Sequence, residues 1–208
     1  MQHLKAFYPE LQEYIASMKP EMERIPESRK RTLEHMAVYI RERLETGDPV
    51  NLTFICTHNS RRSHMAQLWA ATAAAYYGVD GVNTYSGGTE ATAFNPRAVA
   101  ALRRAGFHIE DPGGDNPRYQ VTYAPDGPEM ICFSKEYDHP HNPQKQFAAI
   151  MTCAEADENC PFIPGAGFRL SIPYDDPKEA DGTPDEQVRY DERCRQIGRE
   201  MFYALSRV

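Results

Sequence analysis

The sequence predicts an α/β fold: a four-stranded parallel sheet with helices on both faces, preceded by an N-terminal helical extension. Three observations carry this. From residue 50 onward, short apolar and β-branched runs alternate with longer segments of helical character, the order that yields βαβ units. Glycine and proline stand where such elements would begin and end. Residues 1–48 contain no strand-like run and instead repeat apolar side chains at helical spacing. We divide the chain into the extension, 1–48, and the main domain, 49–208.

In the extension, Leu11, Tyr14, Ile15 and Met18 recur on one helical face, as do Leu33, Met36, Ala37, Ile40 and Leu44. Helix is expected over 1–46 with breaks near Pro9, Pro20 and Pro26, and Gly47-Asp48-Pro49 closes it. Such stripes either cover the main domain or form a homodimer contact. Leu52-Thr53-Phe54-Ile55 reads as the first strand. Ser63–Tyr77, rich in alanine, reads as the next helix. Val82–Ser86 is the second strand. Pro96 opens the next helix and Gly106 closes it. Asp111–Gly127, dense in Gly, Pro, Asp and Asn, reads as exposed loop. Met130–Phe133 and Phe147–Met151 are expected as the third and fourth strands. A last helix is expected after Thr183, with Glu186 at capping-box spacing and an apolar stripe of Val188, Cys194, Ile197, Met201 and Leu205.

Formal net charge is −7, which argues against general nucleic-acid binding. No signal peptide or membrane-spanning run is read, so the expected location is cytoplasmic, where persistent structural disulfides are unusual. There are five cysteines: Cys56, Cys132, Cys153, Cys160 and Cys194.

Cys56-Thr57-His58-Asn59-Ser60-Arg61-Arg62-Ser63 lies between the first strand and the first helix of the main domain. The N–H groups at a helix start are unpaired and, with the positive helix end, suit an anion. A thiolate at Cys56 is a nucleophile, and Arg62 can grip an oxyanion through two donors. Thr57, His58, Asn59, Ser60, Arg61 and Ser63 complete the candidate oxyanion-binding loop. Ser63 or Ser60 would donate to the sulfur, and Ser86 at the second strand end would support the loop. Asp175 and Asp176, just before Pro177, are two candidate proton donors on a proline-bounded loop. Cys153 and Cys160 flank a polar loop after the fourth strand. Cys-x6-Cys is wide for zinc and no histidine lies on that loop, so neither a metal nor another cofactor is expected.

These segments resemble the low-molecular-weight protein tyrosine phosphatase family, and within it the thioredoxin-coupled arsenate reductases. The match runs through Cys56, Arg62 and Ser63, through Tyr85–Ala91 and Asn95–Val99, and through Asp175-Asp176-Pro177, with His58 and Arg61 as departures. The resemblance implies a catalytic domain over 49–208, Asp176 as the proton donor with Asp175 as the fallback, and an arsenate reductase. In that chemistry Cys56 attacks arsenate and water leaves. Cys153 then attacks the Cys56–arsenic adduct, releasing arsenite and forming a Cys56–Cys153 disulfide. Cys160 resolves it to Cys153–Cys160, which thioredoxin or another dithiol protein reduces. The alternative is a phosphomonoester hydrolase, acting on phosphotyrosine or a similar ester through a cysteinyl-phosphate intermediate. A third reading is a weakly active binding protein of the same fold.

Overall fold

A computed structural model describes residues 6–208; the part of the helical expectation that falls on residues 1–5 lies outside them. The chain order is α1 (Pro9–Met18), α2 (Glu27–Glu45), β1 (Val50–Cys56), α3 (Arg62–Tyr77), β2 (Val82–Gly88), α4 (Pro96–Arg104), β3 (His108–Glu110), β4 (Tyr119–Thr122), β5 (Met130–Cys132), β6 (Phe147–Met151), α5 (Ala154–Asn159), β7 (Ala166–Ser171) and α6 (Glu186–Leu205). Short 3₁₀ turns follow α1 and precede α6.

Four strands form a parallel sheet in the order β2-β1-β6-β7. β1 therefore has its sequence neighbour on one side and a distant strand on the other. This reversal of strand order is where an open α/β sheet leaves a crevice at its carboxyl edge. The fourth parallel strand is β7, not Met130–Phe133 as expected. β7 sits at the sheet edge, is half-exposed, and carries Gly167 and Arg169, so neither alternation nor a continuous apolar run marks it. Met130–Cys132 instead pairs antiparallel with β4, which pairs with β3 in a separate three-stranded sheet. The reading of Asp111–Gly127 as loop is corrected with it: Tyr119 and Val121 point inward and Gln120 outward, a two-residue period too short to stand out among the surrounding turn residues.

One face of the parallel sheet supports a large core. Leu52 and Phe54 of β1 and Ala148 and Ile150 of β6 share it with α3 and α6. α3 is buried along most of its length, and Trp69 at its middle is fully enclosed. α1 and α2 lay Leu11, Ile15, Met18, Leu33, Met36 and Ile40 into this same core. Gly106, at φ +102°, admits α1 closely: a side chain there would lie 2.3 Å from the Leu11 nitrogen. The apolar stripe that suggested a homodimer contact is thus covered by the chain's own domain. The opposite face carries a smaller cluster of Ile55, Cys56, Phe147, Ala149, Met151 and Cys153, covered by α5 and nearby loops.

α6 begins at Glu186, not directly after Thr183; the Glu186 carboxylate accepts the Gly182 N–H at 2.6 Å. Val188 is exposed, and the buried stripe starts instead at Tyr190, four residues before Cys194.

Candidate active site

β1 ends at Cys56 and α3 begins at Arg62, so residues 57–61 turn the chain through a tight loop at the carboxyl edge. Segments that follow β2 and β5 hold its carbonyls from outside. Thr89 N–H donates to the Cys56 carbonyl, Glu90 N–H to that of Thr57, Ser134 Oγ to that of His58 and Asn95 N–H to that of Ser60. Among the described residues, no protein group accepts from the N–H groups of residues 57–61. With the carbonyls held from outside, those donors are left without protein partners at the head of α3, an arrangement that suits an anion.

Asn59 sets the shape. Its φ of 45° is left-handed, which asparagine tolerates, and it is fully buried. Its Nδ2 donates to Ser63 Oγ at 2.9 Å, and its Oδ1 accepts the Lys135 N–H at 3.0 Å. Gly88, beside the loop on β2, has no space for a side chain: a Cβ would stand 2.3 Å from the Glu90 carbonyl and 2.7 Å from the Asn59 nitrogen. Ser63 Oγ lies 3.1 Å from Cys56 Sγ. Because Asn59 donates to this hydroxyl, the hydroxyl proton is free to point at the sulfur.

Arg62 is nearly buried. Its Nη1 donates to the Tyr174 carbonyl at 2.8 Å and its Nη2 to Asp176 Oδ2 at 2.7 Å. Its Nε is enclosed without a protein partner among the described residues. Asp176 also caps the turn after it, accepting Lys178 N–H at 3.1 Å. Asp175 is 92% exposed at its side chain and faces Arg193, so Asp176 is the carboxylate at the loop. Arg61 faces elsewhere: its Nε donates to Tyr190 Oη at 2.8 Å, and its guanidinium lies near Asp181 and Asp176. His58 is half-buried, 3.6 Å from Glu90, and Ser60 Oγ donates to the Ala93 carbonyl. Ser86 is buried one layer back, with its Oγ 3.0 Å from His64 Nδ1. Burial pushes the His64 imidazole well below its usual range, so it is neutral and stacked on Phe94.

All five cysteines are free thiols. Cys153 caps α5 and is buried. Its Sγ lies 3.5 Å from Thr57 Oγ1 and accepts the Ala156 N–H at 3.4 Å. Thr57 Oγ1 in turn donates to Glu155 at 2.9 Å. Cys56 and Cys153 belong to one apolar cluster, and the partly exposed Cys160 packs against it. Burial pushes the Cys132 and Cys194 thiols up to about 12, which holds both protonated in the large core. A cleft of about 650 Å³ opens beside these groups, lined by Arg62, Cys153, Glu155, Tyr174 and Asp176.

Three contributors escaped the sequence reading: Glu155 on Thr57, Ser134 on the His58 carbonyl, and Lys135. Lys135 is buried beside Asn59 and Phe133, and burial pulls its ammonium down to about 8. The acidic residue two positions after Cys153 was visible in sequence. The other two come from a stretch with no motif.

Residues 51–114 match the family model described as low molecular weight phosphotyrosine protein phosphatase. An arsenate reductase of Bacillus licheniformis is 34% identical over 142 residues, 68% of this chain and 84% of that protein. One from Halalkalibacterium halodurans is 30% identical over 149 residues, 71% of this chain and 89% of its own length. Among solved structures, a Corynebacterium glutamicum thioredoxin-dependent arsenate reductase aligns with a TM-score of 0.43 at 20% identity, over 93% of this chain and 84% of that one. With a strand-to-helix loop built around Cys56 and Arg62, and with relatives of this identity along most of their length, the chain belongs to the low-molecular-weight protein tyrosine phosphatase family, in its arsenate reductase branch.

Proposed function

We propose that the protein is an arsenate reductase in which Cys56 is the nucleophile and Cys153 and Cys160 carry the electrons outward. The observation that carries this reading is the contact between Cys153 and the loop itself, through Thr57 Oγ1, within the apolar cluster that holds Cys56. Simple ester hydrolysis needs no second thiol there.

The loop N–H groups and Arg62 hold arsenate, and the Cys56 thiolate attacks arsenic. An arsenate oxygen leaves as water after taking up protons. The Cys153 thiolate attacks the Cys56 sulfur, and the sulfur–arsenic bonding pair passes to arsenic. Arsenic(V) becomes arsenic(III) and departs as arsenite. Cys160 then attacks Cys153, a Cys153–Cys160 disulfide forms, and Cys56 leaves as thiolate. The two electrons come from the Cys153 and Cys160 thiols. A dithiol protein such as thioredoxin restores them, and the partial exposure of Cys160 gives that reductant access.

Phosphomonoester hydrolysis is the second reading, favoured by the position of Asp176 beside Arg62 in the wall of the cleft. A carboxyl so placed would protonate the leaving oxygen of a cysteinyl-phosphate reaction. The two activities are separable by assay. Arsenate-dependent NADPH oxidation, with thioredoxin and thioredoxin reductase present, is expected in the wild type and absent in Cys153→Ser and Cys160→Ser. Hydrolysis of p-nitrophenyl phosphate without any such oxidation would make the protein a phosphatase and overturn the reductase assignment.

A further inference from the structure

We propose that Arg29, on the N-terminal extension, is a positioning residue of the active site: it clamps the segment that presents Asp176 and the Tyr174 carbonyl to Arg62. The inference rests on the functional reading of that site given above.

Arg29 lies in the first turn of α2, far in sequence from the loop it touches. Its Nε donates to Glu200 on α6 at 2.9 Å. Its Nη2 donates to the Ile172 carbonyl at 3.3 Å and to the Pro173 carbonyl at 3.2 Å. The guanidinium also stands 4.8 Å from the centre of the Tyr174 ring. Glu200 is 2% exposed, so the fork is fixed from behind by a buried charge. Pinning α2 to α6 would require only the Glu200 bond. The two carbonyl bonds go instead to the chain leaving β7.

That chain is the acid-bearing segment. Tyr174 N–H donates to the Thr152 carbonyl, next to Cys153. The Tyr174 carbonyl accepts Arg62 Nη1, and two residues later Asp176 accepts Arg62 Nη2. Pro173 and Pro177 restrict the backbone at both ends, so the segment moves as a piece. β7 is an edge strand, and among the described residues no further strand lies beyond it to brace the chain after Ser171. Arg29 supplies a restraint on the backbone from outside, beside the exposed Arg193–Asp175 pair. The extension thereby belongs to the catalytic unit as well as to the core.

The test uses full-length protein and two aryl phosphates that differ in how much they need a proton donor. Phenyl phosphate has a poor leaving group, p-nitrophenyl phosphate a good one. Arg29→Ala is expected to lower kcat for phenyl phosphate by roughly tenfold or more, and for p-nitrophenyl phosphate much less. Arg29→Lys, which keeps the charge but loses the fork, is expected to fall in between. Millimolar guanidinium is expected to restore part of the Arg29→Ala loss. In the Asp176→Asn background, Arg29→Ala is expected to add little, because both act on one step. Arg29→Ala/Glu200→Gln repeats the measurement without a stranded buried carboxylate. Equal losses with both esters, or losses that add fully to Asp176→Asn in folded protein, would overturn the proposal while leaving the functional reading intact. If the wild type turns over neither arsenate nor ester, the functional reading fails on its own. Wherever the wild type hydrolyses no ester, with or without arsenate turnover, the clamp is judged by a crystal structure of Arg29→Ala/Glu200→Gln: an Asp176–Arg62 pair still at 2.7 Å overturns it, and a displaced 172–176 segment sustains it.

Discussion

The large core, between the parallel sheet and α1, α2, α3, α4 and α6, and the small cluster on the opposite face, under α5, treat the same side chain in different ways. Cys132 and Cys194 lie in the large core, where burial raises both thiols to about 12. Cys56 and Cys153 lie in the small cluster, with Cys160 at its rim. There each sulfur of the buried pair meets a hydroxyl: Ser63 on Cys56, Thr57 on Cys153. A thick apolar layer stores a thiol as a hydrophobe. A thin one, at the carboxyl edge of the strands and beside polar loops, sets Cys56 and Cys153 against hydroxyl groups and leaves Cys160 partly exposed at the rim. The contrast teaches that the number of cysteines says little about redox function until the covering layer is known.

The contrast is open to attack by substitution. The largest effect is expected from Cys56→Ser, which should abolish arsenate reduction and ester hydrolysis together, by a factor on the order of 10⁴ or more in kcat. Loss of only one activity would show that the second has another nucleophile. Asp176→Asn should slow phenyl phosphate hydrolysis about 100-fold, the scale of a single proton donor. Single-turnover arsenite release should change much less in that variant, since it needs no leaving alkoxide. Thr57→Val removes the hydroxyl that Cys153 contacts. Arsenate turnover should drop about fivefold, the equivalent of one hydrogen bond near 1 kcal/mol. Because Thr57 also belongs to the loop, p-nitrophenyl phosphate hydrolysis is the control, expected to change less than arsenate turnover.

A smaller effect is expected on the stability of the Lys135 region, beside Cys132. Burial lowers the Lys135 ammonium from 10.5 to about 8. Below pH 8 both folded and unfolded chains hold the proton, and the burial penalty is felt in full. Between pH 8 and about 10.5 the folded chain has released it and the unfolded chain has not, so this group's contribution to stability improves as pH rises. Lys135→Met should therefore stabilise the protein most at pH 7, with the gain shrinking toward pH 10. Urea unfolding of both proteins at pH 7, 8.5 and 10 checks the trend; a gain that is flat or grows with pH would contradict it.

The local features were legible in sequence because their determinants are contiguous. Cys56 to Arg62 sits between an apolar strand and an alanine-rich helix, and both elements form where periodicity and propensity put them. The helices of the extension were equally plain from their spacing. What the sequence concealed depends on partners far along the chain. β7 is a strand because β6 offers it hydrogen bonds, not because Ala166–Ser171 has strand character. Met130–Cys132 has the composition of a buried parallel strand, yet Tyr119–Thr122 captures it. Arg29 is one charged residue among many on α2, and only the fold brings it to the Ile172 and Pro173 carbonyls. In the candidate site, the loop and Asp176 were named from motif and order. The outward turn of Arg61 toward Tyr190 depends on a helix more than a hundred residues downstream.

The most direct measurement is a single turnover without external reductant, then acid quench, thiol alkylation and peptide mapping by mass spectrometry. The expected result is about one arsenite per chain, a Cys153–Cys160 disulfide, and alkylated Cys56, Cys132 and Cys194. Arsenite release with Cys153 and Cys160 still reduced, or a disulfide that includes Cys132 or Cys194, would contradict the division of the thiols between the two faces.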